Sequence, residues 1–159
     1  MTNELDKLIL TGFAKGYNIG YYLNNKEAIP DTPGVYIIAL PAICSPVFLC
    51  NGTGGFFKGK TPNVPIQELR KNWVDDTSIL YIGKAKSLKK RLLQYFKFGQ
   101  GANIGHWGGR YIWQLSNAND LIVYWKPTLE KDPEIVETEL IQAFKQSHKG
   151  MRPFANLTK

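Results

Sequence analysis

The stretch Leu80–Phe96, "LYIGKAKSLKKRLLQYF", reads as a strand that turns directly into a helix. Its start, "ILYIG" (79–83), is an apolar, β-rich run with the composition of a buried strand. Ser87 is suited to cap the helix that follows, because its side-chain oxygen can accept from an amide of the first turn. The helix is expected from about 88 to 97, with Gly99 ending it. At about 100° per residue, Leu88, Leu92 and Phe96 share one face. Arg91 and Tyr95 stand four apart, one above the other, at the margin of that apolar stripe. Lys89 and Lys90 are left to face solvent or phosphate. For Arg91 itself two readings stand: it covers a Tyr95 packed at the core edge, or it serves a site.

Outward from this unit, "GVYIIAL" (34–40), entered through Pro33, and "LIVYW" (121–125), stopped by Pro127, read as two more strands. Asp132-Pro133 opens a helix expected to reach about His148, with Gly150 just past its end. Residues 4–10 read as a short helix. Between the first two strands lies an insertion (41–78) in which "VFLCNGTGGFFKG" suggests a hairpin and "PIQELRKNW" a short helix. Residues 99–110, "GQGANIGHWGGR", are glycine-rich and basic, and suggest a mobile loop. The order describes a small α/β (α+β) protein, a single domain spanning residues 1–159.

The net charge of +7 is localised. From Thr77 to Ala118 there is no Asp or Glu, whereas Lys84, Lys86, Lys89, Lys90, Arg91, Lys97 and Arg110 are all basic; elsewhere 13 basic and 13 acidic residues cancel. Such a segment suits a polyanion, whose counterions are released on binding, and equally suits a solvated basic face. On the last helix, Glu137 falls inside the arc of Val136, Leu140, Ile141, Ala143 and Phe144. A carboxylate on an inward stripe is costly unless partnered. It either pairs with an Arg or lies beside a cleft and holds a metal.

Three other signals carry less. "GGFFKGKT" (54–61) matches the phosphate-binding P-loop pattern, but Pro62 and Pro65 deny it the helix whose amides would face the phosphates, so no nucleotide triphosphate is expected. Cys44, Cys50, His106 and His148 lack the paired short spacings of a zinc site, and read as ordinary cysteines and surface histidines. No apolar run approaches the roughly 20 residues of a membrane span, and "MTNELDKLIL" is unlike a signal peptide. With two cysteines, a cytoplasmic setting is the expectation.

"GVY" (34–36) and "YIG" (81–83), followed by Arg91 and Tyr95, resemble the GIY-YIG nuclease superfamily, which includes restriction and homing endonucleases and a nucleotide-excision-repair incision nuclease domain. In that repair domain a Tyr stands at the position of Tyr95, which many relatives fill with His. Glu137 before Leu140-Ile141 resembles the family's glutamate, and Asn156 after Arg152-Pro153 its closing asparagine. The tyrosine motifs here have 44 residues between them, more than relatives usually have. No helix-turn-helix or second domain accompanies the core, so substrate selection is expected within these residues.

The resemblance implies a three-stranded antiparallel sheet flanked by helices, and hydrolysis of a DNA phosphodiester by water with one Mg²⁺ or Mn²⁺ per site. On this reading Glu137 binds the metal, Arg91 donates to the phosphate oxygens, and Tyr36 activates water with support from Tyr81. Lys84 and Arg91 would supply the positive field a tyrosine needs to act as a base, since its ordinary pKa is about 10. Tyr95 orients the water or a phosphate, and Asn156 supports the site from behind. Lys86, Lys89, Lys90 and Arg110 are candidate DNA contacts, as are Lys58 and Lys60 of the insertion, with Trp107 or Trp113 stacking on an exposed base. The substrate is double- or single-stranded DNA, and a restriction or defence role is one expectation. A catalytically inactive nucleic-acid-binding module of the same fold is the alternative. One site per monomer nicks one strand, so a duplex cutter needs a homodimer or two successive nicks.

Overall fold

The computed structural model describes residues 3–159. Among these are five α-helices and one antiparallel sheet: α1 (Glu4–Leu10), β1 (Tyr17–Asn18), α2 (Ile19–Asn24), β2 (Gly34–Ala39), α3 (Ile66–Asn72), β3 (Ile79–Ala85), α4 (Leu88–Gly99), β4 (Ile122–Pro127) and α5 (Pro133–Ser147). The strand order is β1-β4-β2-β3. The sheet therefore has four strands rather than the expected three. The extra one is two residues long, pairing Tyr17 with Val123 and Asn18 with Ile122.

β2 is central and all six of its residues are buried, which explains its unbroken apolar run. Alternation sends Tyr36 and Ile38 to one face, where α2 and α4 cover them, and Val35, Ile37 and Ala39 to the other, toward α1 and α5. Both carboxylate oxygens of Glu4 fasten α1 to the start of β3, accepting from Thr77 Oγ1 and the Ser78 amide at 2.7 Å each. Ser87 accepts from the Lys90 amide at 3.2 Å, and Asp132 caps α5 by accepting from Glu134 at 2.8 Å. The first amides of α4 are also consumed locally, Leu88 N–H donating to Thr32 and Lys89 N–H to Pro30.

Two expectations for the connections fail. Residues 47–59 form no hairpin. Their backbone instead runs along residues 113–116, with bonds from Leu49 N–H to Gln114, Thr53 N–H to Trp113 and Ser116 N–H to Val47. Gln114 fastens this crossing, its side chain accepting from Val64 N–H and donating to the Leu49 and Val64 carbonyls. The glycine-rich loop is not free either. His106 and Gly109 are buried, Gly55 N–H donates to Phe98 beneath the loop, and Lys58 N–H donates to Asn103 within it. The P-loop match folds as its prolines require: a 3-10 turn covers Phe57–Gly59, and the next helix waits until Ile66.

Candidate active site

A cleft of about 520 Å³ lies at the outer edge of β3. Tyr81, Lys84, Lys86 and Arg91 line it from the side of β3 and α4, and Glu134 and Glu137 from α5. Five sequence-predicted residues thus meet in one place. The topology does this, because β3 is an edge strand and helices from opposite faces of the sheet both reach past it.

Tyr36 lies directly behind. It sits opposite Gly83 on the neighbouring strand, and a Cβ at Gly83 would come within 2.3 Å of its Cζ and 2.5 Å of its hydroxyl. Glycine there is the condition for seating the tyrosine. The rings form a chain, with Tyr36 to Tyr81 and Tyr81 to Tyr95 both 5.9 Å between centroids. The Tyr36 hydroxyl is buried and makes no hydrogen bond within the protein. Burial pushes it above its ordinary value, and the neighbouring Arg91 charge offsets only part of this. Burial likewise raises Tyr81 and Tyr95 well above theirs. The expected phenolate is therefore not favoured at neutral pH in this state: the desolvation of the tyrosines outweighs the cationic field.

Tyr95 is fully buried, and its hydroxyl donates to the Gly109 carbonyl at 2.7 Å. Its proton is thus committed to the glycine-rich loop, which rests on the tyrosine row. Gly109, at φ +76°, leaves room for this: an added Cβ would lie 2.9 Å from the Tyr95 hydroxyl and 3.0 Å from the Tyr81 ring. His106, expected at the surface, is buried in the same layer with its ring 4.6 Å from that of Tyr95. Its Nδ1 pairs with the Gly108 carbonyl at 3.1 Å, which assigns the proton to Nδ1 and leaves Nε2 buried without a partner. Burial, with the Arg91 charge adding to it, lowers His106 to about 4.

Glu137 is buried and ion-paired, but its partner is a lysine rather than an arginine: Lys159 Nζ lies 2.6 Å from Oε1. Lys84 pairs with Glu134 at 3.1 Å, which holds the exposed Glu134 carboxyl below its usual range. Asn156 stands behind the strand. Its amide accepts from Ile82 N–H at 3.0 Å and donates to Ile82 C=O at 2.9 Å.

Other predicted contacts lie outside the cleft. Lys90 is exposed and Lys89 half-buried on α4, and Lys58 and Lys60 are exposed at the tip of the insertion beside an exposed Phe56. Trp107 is half-buried, with the Arg110 guanidinium 5.5 Å from its ring centroid. Trp113 is fully buried and cannot stack on a base. Among the described residues no three His, Cys, Asp or Glu side chains converge as a metal cage, and both cysteines are exposed thiols. Among them, too, no helix is long and apolar enough to cross a membrane. The sequence reading missed Lys159 and the packing of His106. No pattern points to the first, and for the second the only signal is a histidine among glycines.

Ninety-three residues, 58% of the chain, are 36% identical to the UvrABC system protein C of Nautilia profundicola. The match takes in 15% of that protein, so the chain corresponds to a small part of its length. No family model matches the chain. No solved structure matches it.

Proposed function

We propose that this chain is a nuclease domain of the GIY-YIG type that hydrolyses phosphodiester bonds in DNA with one Mg²⁺ or Mn²⁺. The observation that carries the reading is the meeting of Tyr81, Arg91 and Glu137, from β3, α4 and α5, around one cleft on the β3 edge, with Tyr36 of β2 packed behind Tyr81. The partial match to UvrABC system protein C supports it.

Glu137 fits a hard divalent cation, being a single buried carboxylate facing an open cleft, where Mg²⁺ keeps several of its waters. A cation bound there would stabilise charge on the phosphate and make the attacking water more acidic. Arg91 presents a planar fork to two non-bridging oxygens, a geometry a lysine cannot reproduce. The Tyr81 hydroxyl, which lines the cleft, stays protonated and positions the water by hydrogen bonding, with the enclosed Tyr36 packed behind it. Tyr95 seats the glycine-rich loop, and its oxygen remains an acceptor. Asn156 holds Ile82, and with it the backbone on either side of Tyr81 and Gly83. Lys84 and Lys86 give the cleft its attraction for phosphate.

Supercoiled plasmid and single-stranded circular DNA, incubated with Mg²⁺ or Mn²⁺, test the reading. Glu137→Ala and Arg91→Ala are each expected to lower cleavage by roughly a hundredfold or more, the scale of losing a group that stabilises transition-state charge. Tight binding without cutting of either form, or of phage genomic DNA, would establish the inactive binding module instead.

A further inference from the structure

Lys159 belongs to the candidate site. Its ammonium lies 2.6 Å from Glu137 Oε1, 3.0 Å from Thr138 Oγ1 and 3.7 Å from Glu134 Oε1. Two carboxylates and a hydroxyl thus surround one nitrogen with the hard oxygen donors that a small divalent cation selects. The preceding segment is tied to the protein. Ala155 N–H donates to Leu80 C=O at 2.8 Å, Asn156 holds Ile82 from both sides, and Arg152 Nη1 donates to Leu157 C=O at 2.7 Å. Thr158 and Lys159 follow these anchors and help line the cleft, and the Lys159 carbonyl accepts from Lys145 Nζ.

A carboxylate as buried as Glu137 requires a counter-charge. Among the described residues Lys159 is the cation paired with it. We infer that Lys159 is the internal cation of the site: its ammonium and a divalent metal compete for Glu137, so that loading the metal expels the lysine. This rests on the reading of Glu137 as the metal ligand. The lysine holds the carboxylate in place while no metal is bound and sets the concentration at which metal enters. Once expelled, it adds a positive charge to the rim formed by Lys84 and Lys86. The exchange breaks no covalent bond; one cation leaves the carboxylate as another arrives.

The test is Mn²⁺ binding to the full chain, followed by the electron paramagnetic resonance signal of free Mn²⁺, in the wild type, Lys159→Met, Lys159→Arg and Glu137→Gln. Lys159→Met is expected to bind Mn²⁺ about tenfold tighter, the scale of no longer having to displace a charge-assisted hydrogen bond. The Mg²⁺ concentration giving half-maximal plasmid cleavage should fall in parallel. Lys159→Arg should stay near the wild type, and Glu137→Gln should lose the site. Because Lys159→Met leaves Glu137 unpaired, its metal-free melting temperature should drop, and Mn²⁺ should raise it by more than in the wild type. Equal Mn²⁺ affinity in the wild type and Lys159→Met, with Glu137→Gln still abolishing binding, overturns the competition and leaves the metal reading intact. Saturable binding that survives Glu137→Gln, or is absent from every variant, overturns both.

Discussion

The imidazole of His106 is enclosed between the glycine-rich loop and the ring of Tyr95, with one nitrogen paired and the other buried alone. Protonating it would bury a positive charge near Arg91, and its pKa falls to about 4 for that reason. The unfolded chain takes up this proton near pH 6.5, so it binds more protons than the native state between the two values. Stability attributable to His106 is therefore complete above about pH 7 and declines as pH falls toward 4. Urea unfolding at pH 7 and pH 5 should differ by on the order of 2 kcal/mol more in the wild type than in His106→Phe, which keeps a ring against Tyr95. Identical pH dependence in the two proteins would show that the imidazole is not held neutral.

Among the elements, β3 explains both the site and its legibility. As an edge strand it should offer unpaired backbone groups to solvent or to other chains. Here the segment around Ala155 and Asn156 covers that edge, bonding to Leu80 and to both backbone groups of Ile82. Asn156→Ala leaves a buried N–H and C=O without partners and should lower unfolding free energy by roughly 1–3 kcal/mol. Asn156→Asp should be at least as damaging, because it keeps the acceptor for Ile82 N–H but sets a carboxylate oxygen against Ile82 C=O. Urea unfolding and hydrogen exchange at the Ile82 amide measure both; unaltered exchange in Asn156→Ala would show that the brace contributes nothing.

The strands β2, β3 and β4 and the helices α3, α4 and α5 are legible because apolar runs, Ser87 and Asp132-Pro133 state them locally. β1 and α2 are not, since two residues of strand and six of helix carry too little periodicity; β1 is held by pairing with β4, and α2 by packing Ile19 and Tyr22 into the core. The glycines at 52, 54 and 55 imitate hairpin turns, yet Gly52 and Gly55 serve close passage: a Cβ would lie 2.3 Å from the Trp113 carbonyl oxygen and 1.8 Å from that of Ala102. At the site, Glu137 is readable as a carboxylate on an apolar arc. Its lysine partner, 22 residues away, leaves no mark in any pattern.

At the scale of the whole molecule, the uncompensated charge becomes geometry. The segment 77–118 folds into β3, α4 and the glycine-rich loop, so Lys84, Lys86 and Arg91 line the cleft while Lys90 and Lys97 stand exposed on α4. The loop rests on Tyr81 and Tyr95 and meets the insertion tip through Lys58 and Asn103. Cleft, loop and tip thus adjoin one another, and a bound DNA backbone would run from one to the next. If it does, Lys58 and Lys60 contribute affinity without sequence information, through the counterions they release. The double variant Lys58→Ala/Lys60→Ala should flatten the plot of log binding constant against log salt by about 2 for duplex DNA, since each phosphate no longer neutralised removes close to 0.9 from the slope. The cleavage positions on plasmid DNA should not change, because neither lysine lines the cleft. An unchanged salt slope would remove the tip from the path and confine DNA binding to the cleft and α4.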